Sequence, residues 1–233
     1  MSAPQDLPRW ADIGLIPLLN VLAALLVSGI VVAIIGENPF DAMMVMLKGA
    51  FIYKGSLGYT LYYATNFIFT GLAVAVAFHA LLFNIGGEGQ AYLGGLGAGI
   101  VCLLFDSMLP ALIMVPLAIL ASAGFGAIWG AIPGYLQAKR GSHIVITTIM
   151  FNFLAASIMV WLLAGSLKAP GQMSPETRSF TRSAELPFIH DIANSIGLEM
   201  ARSPLNLSFV IALLVCVGVW VLIWRSRLGY AIR

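Results

Sequence analysis

Long apolar stretches separated by short polar ones run through the whole chain. Ile13–Ile35, Tyr59–Phe83, Ala111–Ile132, Ile144–Gly165 and Leu207–Trp224 each offer close to the run of about 20 mostly apolar residues that a membrane-spanning helix needs. Ala91–Phe105 is a sixth, shorter candidate. None of the six alternates with period two, which argues against a transmembrane barrel. The pattern predicts an all-α, polytopic membrane bundle of about six spans. It reads as a single domain over 1–233, with one long polar loop at 166–206.

Composition sharpens this picture. Of the 233 residues, 60% are hydrophobic and 9% charged, and the mean hydropathy is +0.95. An ordinary soluble domain carries roughly a quarter charged residues. The deficit excludes a nucleic-acid binder, a disordered chain and a disulfide-stapled secreted module. Cys102 and Cys216 both lie in apolar runs and read as packed thiols, not as a disulfide or metal site. The N-terminus, MSAPQDLPRWADIG, lacks a basic region ahead of a short apolar core, so no cleaved signal is expected.

Six spans place both ends on one side. The Lys and Arg count divides evenly between the two sides, but density separates them. Arg9, Lys139, Arg140, Arg225, Arg227 and Arg233 crowd into short segments beside helix ends, where the positive-inside rule acts. Lys48, Lys54, Lys168, Arg178, Arg182 and Arg202 are diluted by acidic neighbours. The expected N-terminus is therefore cytoplasmic, with 36–58, 106–110 and 166–206 outside. Trp10, Trp129, Trp161 and Trp224 fall near expected span ends, as amphipathic rings do at the headgroup level.

Two rows of small residues repeat every four positions. One is Ala118, Ser122, Gly126, Gly130 and Gly134; the other is Ala91, Gly95 and Gly99. Lipid provides no hydrophobic drive for helix association, so close backbone approach must provide it, and both rows are expected to be helix-packing faces.

The candidate chemistry sits in two segments. Phe83-Asn84-Ile85-Gly86-Gly87-Glu88-Gly89-Gln90 interrupts an apolar region with three glycines, two amides and a carboxylate. A carboxylate within a membrane costs about 2.5–3.5 kcal/mol on insertion scales. The segment is therefore either a cytoplasmic turn with Glu88 solvated, or a broken or re-entrant stretch beside a water-lined path. The second segment, Lys139 to Asn152, opens on a basic turn. Ser142 reads as an N-cap. Thr148 and Asn152 share a helix face, and Thr147 lies on a neighbouring one with His143. These polar groups either line a solute path or hydrogen-bond between helices.

FNIGGEGQ followed by a glycine-rich helix, then RGSHIVITTIMFN after a short basic loop, resembles the permease subunit of bacterial ABC importers for nucleosides and simple sugars, within the branched-chain amino acid and ribose type permease superfamily. The resemblance covers about Tyr59 to Arg233. It implies a translocation pathway along Asn84, Glu88, Gln90, Thr147, Thr148 and Asn152. It also implies a multi-pass location in the bacterial inner membrane and no cofactor of its own, ATP being bound by a partner subunit. The partners implied are a cytoplasmic ABC ATPase, a second permease subunit and an extracytoplasmic solute-binding protein at the outer loop, with no nucleic acid. Family members usually run longer, so the chain is expected to be C-terminally incomplete, stopping near the ATPase-contacting loop.

Two other classes are weighed against this. An ion-coupled transporter or channel needs an intramembrane charge, and Glu88 is the candidate. An intramembrane enzyme needs a catalytic constellation, yet His79, His143 and His190 fall in different segments and no H-E-x-x-H or G-x-S-x-G run occurs. No G-x-x-x-x-G-K-[ST] phosphate loop occurs either, so energy is expected from elsewhere.

Overall fold

The computed structural model describes Pro8 and residues 10–232. Residues 1–7, Arg9 and Arg233 lie outside the described residues, and with them most of the N-terminal segment and two basic residues used for orientation. The described chain is all-helical apart from one isolated antiparallel bridge, Phe188 to Asn206. Its α-helices are α1 (Ile16–Ile35, entered through a π-helical turn at Ala11–Leu15), α2 (Pro39–Leu47), α3 (Ser56–His79), α4 (Gly87–Phe105), α5 (Ala111–Arg140), α6 (Ile144–Ala164), α7 (Ile189–Ser195), α8 (Ser208–Arg225) and α9 (Arg227–Ile232).

Among the described residues, six helical segments are long and apolar enough to cross a membrane: Ala11–Ile35 and α3, α4, α5, α6 and α8. Their boundaries correct the sequence reading in three places. Span two stops at His79, not Phe83. Span three is not short: it begins at Gly87 and has 19 residues, because the polar stretch Gly87–Gln90 forms its first helical turn. Span four runs on through Gly134 to Arg140, giving 30 residues, or about 45 Å of helix. The cations Lys139 and Arg140 favour that end by facing the negative pole of the helix dipole. Gly141, at φ +68°, then closes α5 with a left-handed residue. Ser142 does not cap α6: His143 holds the N-cap position, and the Ser142 hydroxyl is buried without a hydrogen-bond partner.

Contacts divide the chain into two units, 1–60 and 61–233. In the first, α1 meets α2, with Gly29 close to Pro39. Asn38 caps α2 by accepting the Phe40 N–H at 3.0 Å. Nothing in the spanning window of α1 is buried, although its side chains are apolar on all sides. Such a helix requires an apolar solvent, and a bilayer is the one consistent with its length.

The second unit is built on α4. α5 packs antiparallel to it, and α6 packs against the neighbouring face and touches α5 as well. Leu93, Leu96 and Ala155 form the buried centre, flanked by Trp129, Met159 and Leu162. Trp129 thus lies within the bundle, its ring 5.1 Å from that of Phe151, and not at a span end. The small-residue rows divide. Ser122, Gly126 and Gly130 do meet α4. Gly95, Gly99 and Gly134 have nothing within 4 Å of a Cβ position, and the close approaches on α4 come from Gly94 and Gly97 instead.

At the C-terminal end of α4, Asp106 is buried and gathers donors from the long loop. Arg178 donates to both of its carboxylate oxygens at 2.8 and 2.9 Å, and the Thr181 N–H donates at 2.9 Å. The Arg178 guanidinium, foremost, holds the Asp106 carboxyl down at about 2. Arg178 and Cys102 are the titratable groups beside it. A carboxyl lowered in the folded state stabilises fully above its unfolded pKa of about 3.9. That contribution is lost as pH falls through about 2. An acid titration of thermal stability should therefore separate the parent from Asp106→Asn above pH ~4 and bring the two together towards pH ~2. A constant offset down to pH ~2 would contradict this.

Candidate functional site

α3 ends beside α8: the His79 and Trp224 rings meet edge to face at 6.1 Å, next to the basic end of α8. A turn at Ala80–Leu82 follows, in which Leu81 adopts the left-handed conformation (φ +56°) that closes a helix. Residues 82–85 are then non-helical and lead to α4. α6 fastens this stretch. The Thr148 hydroxyl accepts the Ile85 N–H at 3.3 Å and donates to the Val145 carbonyl at 3.1 Å. Asn152 works in both directions: its Oδ1 accepts the Gly89 N–H at 2.9 Å, and its Nδ2 donates to the Ile85 carbonyl at 2.9 Å. Asn84 closes the turn by accepting the Gly86 N–H at 2.8 Å. Backbone groups freed by the break are thus satisfied by side chains of a neighbouring helix, as an apolar solvent demands.

Two glycines permit this approach. A Cβ on Gly89 would lie 2.9 Å from Asn152 Oδ1 and 3.1 Å from both the Asn152 Cα and the Phe151 carbonyl oxygen. One on Gly97 would lie 2.7 Å from the Phe125 ring and 2.8 Å from the Ala121 carbonyl oxygen.

The register places the break along the bundle. The Gln90 side chain lies on Gly130, ten residues before Arg140, or about 15 Å along α5. Gly89 meets Asn152, eight residues after Ile144, or about 12 Å along α6. The start of α4 is therefore set back from the basic α5–α6 turn. The non-helical residues 82–85 run back into the bundle, held by Thr148 and Asn152 of α6.

The six pathway expectations separate into three roles. Asn84 and Glu88 line a cleft of about 520 Å³ beside α3, with Thr70, Phe83 and Tyr92. Glu88 stands exposed there, in the first turn of α4, where the helix dipole favours a carboxylate. Thr148 and Asn152 face the broken turn and hold it. Gln90 packs against α5, and the Thr147 hydroxyl donates to the His143 carbonyl of its own helix at 3.0 Å. The cleft offers a carboxylate, an amide, hydroxyls and two aromatic rings, groups suited to a polar, hydroxyl-bearing solute. Sequence reasoning missed Thr70 and Tyr92, and gave Phe83 no role within the segment it opens, because which residues of α3 and α4 meet the break depends on how the helices pack.

The branched-chain amino acid transport system / permease component family matches residues 56–233, from the first residue of α3 onward. The chain belongs to this permease family. Three curated relatives extend the comparison. A glucose ABC transporter permease protein of Haloferax volcanii is 31% identical over 228 residues, covering 98% of this chain and 59% of its own length. A guanosine ABC transporter permease protein of Bacillus subtilis is 34% identical over 221 residues, 94% of this chain and 60% of its own. A nucleoside ABC transporter permease protein of Lactococcus lactis subsp. cremoris is 31% identical over 221 residues, 94% of this chain and 59% of its own. This permease-family chain thus spans about three-fifths of the length of the relatives it matches. No solved structure matches it.

Proposed function

We propose that this chain forms part of the membrane pathway of an ABC importer for a nucleoside or a simple sugar, driven by a separate ATPase and without catalysis of its own. The observation that carries the reading is the broken, side-chain-fastened start of α4 beside a polar and aromatic cleft, in a chain of the permease family. The names of the relatives support it, and they give no support to the ion-coupled alternative centred on Glu88. In this reading the N-terminus, Lys139–Arg140 and Arg225–Arg227 face the cytoplasm, following the positive-inside rule. The start of α4 then lies about 12–15 Å inside, near the middle of a hydrocarbon core of about 30 Å. A second permease subunit completes the path, and a solute-binding protein delivers solute at the outer loop.

Full-length protein, reconstituted in liposomes with its ATPase and binding protein, tests this. Nucleoside or glucose should stimulate ATP hydrolysis and accumulate inside. Glu88→Ala and Tyr92→Ala should each raise the solute concentration needed for half-maximal uptake about tenfold, the effect of losing roughly 1.4 kcal/mol of contact. Uptake driven by an ion gradient without ATP would overturn the proposal.

A further inference from the structure

Beside the buried centre, α4, α5 and α6 border a half-open cavity of about 470 Å³. Gly95 and Gly99 border it, and the open space at their Cβ positions is part of this void. Gly95 and Gly99 thus face this cavity instead of a neighbouring helix. Thr177, Phe180, Ala184 and Leu186 from the long loop also line it, and Cys102, near the C-terminal end of α4, is buried along its wall.

The loop segment carrying those four residues is suspended between two backbone anchors. At one end the Ala169 N–H donates to the Glu176 carbonyl at 2.9 Å. At the other, the Ile189 N–H donates to Leu205 at 2.9 Å and the Leu207 N–H to Pro187 at 3.2 Å. Between the anchors, polar attachment converges on the end of α4. Arg178 grips the Asp106 carboxylate and also donates to the Leu103 carbonyl at 2.8 Å, while the Thr181 and Ser183 hydroxyls both donate to the Asp106 carbonyl. A carboxylate at a helix C-terminus opposes the helix dipole, so the guanidinium offsets an unfavourable placement as well as fastening the loop. Arg178 is itself 43% exposed, so water can reach and compete for this attachment, whereas the underside of the segment is apolar.

We propose that residues 177–186 form a lid over the α4–α5–α6 cavity, with Asp106 and Arg178 as its clasp. Released from Asp106, the segment can swing on its two anchors and open the cavity to the outer side. This does not depend on which solute is carried, and its test needs no transport.

Cys102 reports on the lid. The full chain carrying Cys216→Ser, in membranes, is treated from outside with a membrane-impermeant cationic methanethiosulfonate, and the modification rate of Cys102 is measured. With the clasp intact Cys102 should be protected. Asp106→Asn and Arg178→Ala should each raise the rate at least tenfold. Adding Gly99→Leu to Asp106→Asn should restore protection, because leucine fills the cavity, whereas a generally unfolded variant would stay reactive. Unchanged protection in the clasp variants would overturn the proposal. So would a Gly99→Leu, Asp106→Asn protein as reactive as Asp106→Asn alone.

Discussion

Gly89→Leu should abolish the packing of α4 on α6, while Gly95→Leu, six residues along the same helix, should be tolerated. At Gly89 even a methyl group meets the backbone of α6 at 3.1 Å, and a helix backbone cannot step aside as a flexible side chain can. Forced overpacking typically costs about 1–3 kcal/mol and more where, as here, the obstacle is backbone. It also displaces the Gly89 N–H from Asn152 and so releases the turn. At Gly95 nothing lies within 4 Å, and the side chain enters the cavity bordered by α4, α5 and α6. Thermal stability in detergent and uptake by reconstituted protein should both collapse for Gly89→Leu, and the midpoint should stay within a few degrees of the parent for Gly95→Leu. Equal damage from the two would mean that the register of α4 described above is wrong.

Asn152→Ala is the second large effect. It leaves an N–H and a carbonyl of the turn without partners in an apolar surrounding. Interhelical hydrogen bonds within membranes average only about 0.6 kcal/mol each, because the unfolded state also finds partners. Two lost together, with the backbone freed, should cost about 1–2 kcal/mol, a factor of roughly 5–30 in the population of the fastened turn. Asn152→Asp should cost at least as much as alanine, since a carboxylate accepts from Gly89 but sets an oxygen against the Ile85 carbonyl and carries a charge into an apolar surrounding. Thr148→Val should cost less than Asn152→Ala. Thr147→Val should be near neutral, because its hydroxyl serves only its own helix. Uptake falling in that order would identify fastening of the turn as the role of α6. Thr147→Val matching Asn152→Ala would argue instead for direct contact of all three residues with solute.

The contrast between Thr147 and Asn152 also marks how far the sequence could be read. Apolar runs located six crossing segments, and the interruption at 84–90 was visible because glycines, amides and a carboxylate break a long apolar pattern. The same pattern could not see that Gly87–Gln90 are already helical, since hydropathy registers polarity and those residues are polar at a helix start. Four-residue spacing found small residues on α4 but chose the row at Gly95 and Gly99. On a glycine-rich helix neighbouring rows look alike, and only the position of α5 singles out Gly94 and Gly97. Asp106 and Arg178 are 72 residues apart and carried no local signal at all.

The sequence by itself determined that the chain is a multi-span helical membrane protein and which segment interrupts its apolar pattern. Transfer of apolar side chains from water is a property of composition along the chain and needs no partner to be read. The tertiary structure decided what each polar residue does. It set Asn152 and Thr148 to holding backbone, Asn84 and Glu88 to lining a cleft, and Asp106 to fastening a distant loop. Hydrogen bonds and close contacts are directional and short in range, so they exist only once helices far apart in sequence are placed within a few ångströms of one another.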